Sequence, residues 1–222
     1  CELDFGSRKV IFTGTFDVGN AILTVRAGQI EVRGALKARS DANQRGGTID
    51  LTAIDSIVIS GTVDVSGNSA GLMHLQSGGL IDLPAGGILR ARGIEVSSTG
   101  NSASGGTIKL VAGTSITHRG AIDLSGGVRG GGGSLITKAG TNTLFEQSVD
   151  ATGGAGDGGY VDLSSGGGIT IARGIDVSST AGGGGGNISV SAGVDLAGGL
   201  KVGGSLTVTA DLNADGSSDI DG

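Results

Sequence analysis

The sequence predicts an all-β fold: a single parallel β-solenoid of about eight coils, roughly 25–28 residues each, with three short strands per coil. Three observations predict it. Apolar and polar residues alternate in short segments rich in Ile, Val and Leu, the period of a strand with one buried face. Glycine or Ser-Gly separates these segments, and glycine supplies 48 of the 222 residues without the Gly-X-Y period of collagen. The segments also recur at a nearly constant spacing, which marks a repeat architecture.

The stretch 46–67, GGTIDLTAIDSIVISGTVDVSG, holds one unit. Ile49, Leu51 and Ala53 share one face of its first strand, Ile57 and Ile59 one face of the second, and Val63 and Val65 one face of the third. The glycines exclude a helix. The first strand recurs as NAILTVRA, GGTIDLTA, AGLMHLQS, GGTIKLVA, GGSLITKA, GGYVDLSS and GGNISVSA. The third recurs as TFDV, ALKA, TVDV, GIEV, AIDL, SVDA, GIDV and GLKV, centred on Asp17, Lys37, Asp64, Glu95, Asp123, Asp150, Asp176 and Lys201. These centres are separated by 20, 27, 31, 28, 27, 26 and 25 residues.

Residues 1–18 hold Phe5, Phe12 and Phe16, three of the four phenylalanines, and read as an N-terminal cap with the first strand. Residues 19–210 are the coils, and 211–222 an acidic tail. One coil is long because it carries LIDLPA and the only proline, Pro84; this reads as an insertion at one corner, with a further strand as the alternative. Loops of very small residues follow the third strands, such as SGGVRGGGG and SSTAGGGGG. They are tight corners on one reading and a smooth edge for packing against neighbouring molecules on the other. No C-terminal cap is visible, so the open strand ends invite pairing with another chain.

Composition narrows the function. Fifteen basic and 21 acidic residues, net −6, are scattered singly, so neither nucleic acid nor anionic lipid is expected as a partner. No apolar run approaches the ~20 residues of a membrane helix. Cys1, the single cysteine, has no internal partner. It is read as a lipidated N-terminus, as a boundary of a longer chain, or as one half of an external disulfide, and a membrane is expected only if it carries lipid.

Two constellations are candidate sites. Asp64, Glu95, Asp123, Asp150 and Asp176 form an acidic ladder whose rungs lie ~4.8 Å apart, and adjacent charges at that spacing repel by about 1 kcal/mol even in water-like dielectric. Arg33, Arg92, Arg119 and Arg173, each preceding a third strand, would neutralise it; divalent cations along the row are the functional alternative. In the tail, Asp211, Asn213, Asp215 and Asp219 with Gly216 follow the DxNxDGxxD spacing of calcium loops, in which alternate oxygen ligands wrap one hard cation. The tail resembles the loops of dockerins, thrombospondin type 3 repeats and FG-GAP modules, but Gly222 stands where an EF-hand has its twelfth, acidic ligand. Ca2+ is therefore the expected cofactor.

No enzymatic arrangement emerges. His74 and His118 read as outward, solvated strand residues without nucleophile partners. A polysaccharide lyase or hydrolase is a remote alternative, weakened because Tyr160 is the only Tyr or Trp available as a sugar platform.

The repeat pattern over residues 8–210 resembles the passenger domains of filamentous-haemagglutinin-type adhesins and autotransporters. That resemblance implies a right-handed β-helix, export to the bacterial surface or beyond, and an adhesive or scaffolding role. The expected function is a non-enzymatic subunit of an extracellular filament, polymerising head to tail with itself through open solenoid ends, assisted by calcium and packing sideways through the glycine-rich edge. The alternative is a module of a longer surface adhesin or lipoprotein.

Overall fold

A computed structural model of the chain describes residues 1–40, 44–94, 102–194 and 204–216. Its first seven strands are β1 (Glu2–Asp4), β2 (Lys9–Phe12), β3 (Thr15–Asp17), β4 (Ile22–Val32), β5 (Ala35–Lys37), β6 (Thr48–Ile59) and β7 (Thr62–Asp64). The middle of the chain adds β8 (Leu72–Ser77), β9 (Leu80–Leu83), β10 (Ile88–Arg90), β11 (Thr107–Ala112), β12 (Ile116–His118), β13 (Ala121–Asp123), β14 (Ser134–Ala139) and β15 (Thr143–Phe145). The last are β16 (Val149–Asp150), β17 (Tyr160–Ser165), β18 (Ile169–Ile171), β19 (Ile175–Asp176), β20 (Asn187–Ala192), β21 (Leu206–Val208) and β22 (Leu212–Asn213).

Among the described residues all pairings are parallel, and the strands fall into two sheets. The larger has 14 strands, of which β20-β17-β14-β11-β8-β6-β9-β12-β15-β18-β21 follow one hydrogen-bonded path, with β4 carrying β1 and β2 beside β6. The smaller has eight, β22-β19-β16-β13-β10-β7-β5-β3. Each strand lies beside its counterpart one repeat away, so side chains stack in columns. One inward column of the larger sheet runs Val10, Ile30, Ile57, Ile81, Ile116, Thr143, Ile169, Leu206; that of the smaller runs Phe16, Leu36, Val63, Leu89, Ile122, Val149, Ile175, Leu212. The columns meet in one continuous core of small aliphatic residues. Phe5, Phe12 and Phe16 pack half-buried against its first layer.

The predicted β-solenoid of three short strands per coil is corrected here. Its first and second segments do not build separate sheets: they are two arms of one sheet, which bends back at β6 until it is nearly closed into a barrel, with the smaller parallel sheet beside it. The architecture is parallel β-barrel-like. The physical reason is legible in β4 and β6, which run unbroken for 11 and 12 residues. In β6 no glycine separates TIDLTA from SIVI. The pairing with β4 shifts register there, Ala27 facing Ala53 and Gln29 facing Ser56, so Ile54 and Asp55 form a bulge at the bend and are both exposed.

LIDLPA is also reassigned: Leu80–Leu83 form β9, paired with β6 and β12, while ILR, not GIEV, supplies the next strand of the smaller sheet.

The aspartate ladder and its arginine rows

The outward column of the smaller sheet reads Asp17, Lys37, Asp64, Arg90, Asp123, Asp150, Asp176, Asn213. Asp64, Asp123, Asp150 and Asp176 thus share one column as expected. The rung expected for Glu95 is held by Arg90, and that expected for Lys201 by Asn213. Glu95 and Lys201 themselves lie outside the described residues. Arg90 separates Asp64 from Asp123 and sits 3.6 Å (Nε to Oδ2) from the latter. Only Asp123, Asp150 and Asp176 remain as consecutive like charges.

These carboxylates are stabilised mainly by the backbone. Asp64 Oδ1 accepts the N–H of Ser66 at 2.9 Å, Asp123 that of Ser125 at 3.1 Å, Asp150 that of Thr152 at 3.0 Å and Asp176 that of Ser178 at 2.9 Å. The hydroxyls of Ser125 and Thr152 donate to the same oxygens at 2.7 and 2.8 Å. Asp17 does the same for Gly19, and Asn213 for Asp215. Each Asp or Asn of the column therefore ends its strand by satisfying an N–H two residues on, a charge-assisted bond where the acceptor is a carboxylate. The signal was present as the recurring Asp-x-Ser/Thr of DVSG, DLSG, DATG and DVSS.

The expected arginine ladder is not the main neutraliser. Arg33 binds Glu31 at 2.6 Å and, with Lys9, lowers the Glu31 pKa to about 2. Arg119 faces Asp82 at 3.3 Å and Glu146 at 3.9 Å in the larger sheet. Arg92 does reach the smaller sheet's outer face, where Arg39, Arg90 and Arg92 line a groove of about 680 Å3 with Asp64, Ser66, Thr152 and several glycines.

Asp211 and Asn213 share a shallower cavity of about 440 Å3 with Asp150 and Asp176, which brings the two predicted carboxylate features together. Backbone bonds hold the segment: Asp211, Asn213 and Asp215 carbonyls accept from Ile175, Val177 and Ser179. Asp219 lies outside the described residues. Among the described residues no group of three or more His, Cys, Asp or Glu is placed to hold one metal ion. Cys1 is exposed with a free thiol, and its terminal amine donates to the Ile22 carbonyl at 2.6 Å.

The two histidines differ from one another. His74 is on the outer face, its Nδ1 3.4 Å from Asp50. His118 is not solvated as expected: it occupies an inward column between Leu83 and Phe145, is 1% exposed, and meets the Phe145 ring edge-on at 5.1 Å. Burial lowers its pKa to about 4; the Gly120 backbone opposes this, yet neither ring nitrogen makes a geometrically sound hydrogen bond within the described structure. Two more inward hydroxyls nearby in the stack, Thr137 and Thr143, are buried and unpartnered among the described residues.

The glycine loops are filled from within the chain. A Cβ on Gly154 would fall 2.2 Å from the Val128 carbonyl oxygen, and one on Gly158 1.7 Å from that of Val177. Such approach between successive layers tolerates only glycine.

Comparison with protein-family models, curated proteins and solved structures finds no match for this chain. Among the described residues no helix is long and apolar enough to cross a membrane.

Proposed function

We propose that the protein is a non-enzymatic structural subunit that assembles head to tail with itself into a filament outside the bacterial cell. The observation that carries this reading is the state of the inward columns at the last described layer. Ile169, Ile171 and Ile175 are at most 1% exposed, whereas the residues stacked on them, Leu206, Val208 and Leu212, are 50%, 39% and 40% exposed. At the other end the same columns finish in Val10, Phe12 and Phe16, half-buried. A second copy whose first layer docked on the last layer of its neighbour would place Val10 on Leu206, Phe12 on Val208 and Phe16 on Leu212. It would also extend the parallel pairing of both sheets across the junction. Calcium, held by Asp211, Asn213, Asp215 and Asp219, belongs to this proposal as an aid to the junction, and so does export to the cell surface or beyond.

Electron microscopy of the purified protein with and without a calcium chelator tests it. Eight layers at ~4.8 Å give an axial repeat of roughly 40 Å. Filaments with that repeat are expected, and their loss in chelator would assign calcium to the junction. Isolated particles in both conditions would overturn the filament and leave a module of a longer surface protein whose other parts cover these columns.

A further inference from the structure

Two rows of the smaller sheet break the ladder's rule. Where the other rows carry Asp or Asn followed two residues later by a residue whose N–H it accepts, these carry Lys37-x-Arg39 and Arg90-x-Arg92. Extended backbone places both members of each pair outward, and the two rows flank Asp64-x-Ser66 on either side. Four cations thus stand together on a molecule of net charge −6. Asp64, 3% exposed, keeps its charge between the two rows while accepting from Ser66, and Asp123, which accepts from Ser125, pairs with Arg90 at 3.6 Å, so part of this positive charge is offset. Arg92 is exposed. Its backbone N–H donates to the Ser66 hydroxyl at 3.2 Å, which fixes where the side chain leaves the sheet.

The surroundings say what size and kind of ligand fits. The groove these arginines line, about 680 Å3, is far larger than a bare inorganic anion and falls in the range of small-molecule sites. Its remaining walls are Asp64, Ser66, Thr152, Thr180 and glycines, with the apolar Ile94 and an exposed Val128; the Thr152 and Thr180 hydroxyls donate within the protein and keep their acceptor oxygens. Hydroxyl and peptide groups suit a polyhydroxylated body. No aromatic side chain lines the groove, so it offers no platform for stacked bases. Guanidinium groups recognise planar or tetrahedral oxyanions through paired donors.

We propose that this groove binds a small polyhydroxylated molecule through its oxyanion group, a carboxylate, sulfate or phosphate, gripped by Arg90 and Arg92 with Arg39 on the far wall. The site lies on the outer face of the smaller sheet, away from the layer ends, and so does not depend on polymerisation.

Isothermal titration of the native protein with glucuronate, glucose 6-sulfate and glucose 6-phosphate, with glucose and inorganic sulfate as controls, tests the proposal. At least one of the three sugar anions is expected to bind saturably, more tightly than inorganic sulfate, with no binding of glucose and a loss of affinity as salt rises. Arg92→Gln should weaken that binding at least tenfold and Arg92→Lys less so, both with unchanged thermal unfolding, while Arg119→Gln on the larger sheet should leave it intact. Absence of saturable binding for all three sugar anions, equal binding of glucose, or undiminished binding by Arg92→Gln would each overturn the proposal. Binding of inorganic sulfate as tight as that of the sugar anions would overturn the polyhydroxylated ligand.

Discussion

His118 is a buried imidazole with no hydrogen-bond partner among the described residues, and its cost depends on pH. Unfolded, it titrates near 6.5; folded, at about 4. The unfolded chain therefore binds the extra proton first as pH falls, and stability is full above 6.5 and declines toward 4, by on the order of 3 kcal/mol. Urea unfolding of wild type and His118→Leu at pH 7 and pH 4.5 should show a smaller loss in the variant; parallel losses would place the pH dependence elsewhere. Glu31 acts in the same direction but lower, since the pKa held at about 2 by Arg33 and Lys9 makes its contribution present above 4.5 and lost as pH falls toward 2. Thr143→Val removes a buried hydroxyl without a partner while preserving shape, and should stabilise by about 1 kcal/mol in the same assay.

Apart from β4 and β6, each strand has two to six residues, buries little alone and is held by its neighbouring layers. An acidic residue at Ile122 or Val177, 2% and 0% exposed, strands a charge in the apolar core and should lower stability in thermal unfolding sharply, by several kcal/mol. The ladder answers differently to charge than to shape. Asp150→Asn keeps the acceptor for Thr152 and removes repulsion from Asp123 and Asp176, so it should stabilise by about 1 kcal/mol at low salt, with the gain fading as salt is added. A gain independent of salt would show that repulsion is not what it relieves. Gly158→Ala forces a Cβ into the Val177 carbonyl and should destabilise markedly, whereas substitution of Gly14, with nothing within 4 Å, should not.

For the whole molecule, the exposed column residues Leu206, Val208 and Leu212 are where assembly is expected to be controlled. Val208→Asp alters a residue already 39% exposed. It should therefore abolish filaments in electron micrographs while leaving thermal unfolding within about 1 kcal/mol of wild type. Filaments that persist in this variant would place the junction elsewhere. Lateral association through the glycine-rich loops is a separate expectation. Close backbone approach between layers already accounts for glycine at positions such as 154 and 158.

The sequence by itself determined the strand class, the inward and outward faces and the first-strand register: its seven first segments, from Ile22–Ala27 to Asn187–Ala192, lie beside one another residue for residue. Alternation and glycine punctuation are local properties, and they encode burial directly. The tertiary structure decided which segment pairs with which. GIEV and ILR are both short alternating segments, and only the stacking of Leu89 between Val63 and Ile122 selects ILR, exchanging an acid for Arg90 in the ladder and so creating the basic groove. It also decided that the two arms of the larger sheet are one, since the chain turns between them in β6 through a bulge at Ile54 and Asp55, with no glycine or proline to read. Finally, it placed His118 inside, where the packing of Leu83 and Phe145 outweighs the polarity that the residue type suggests.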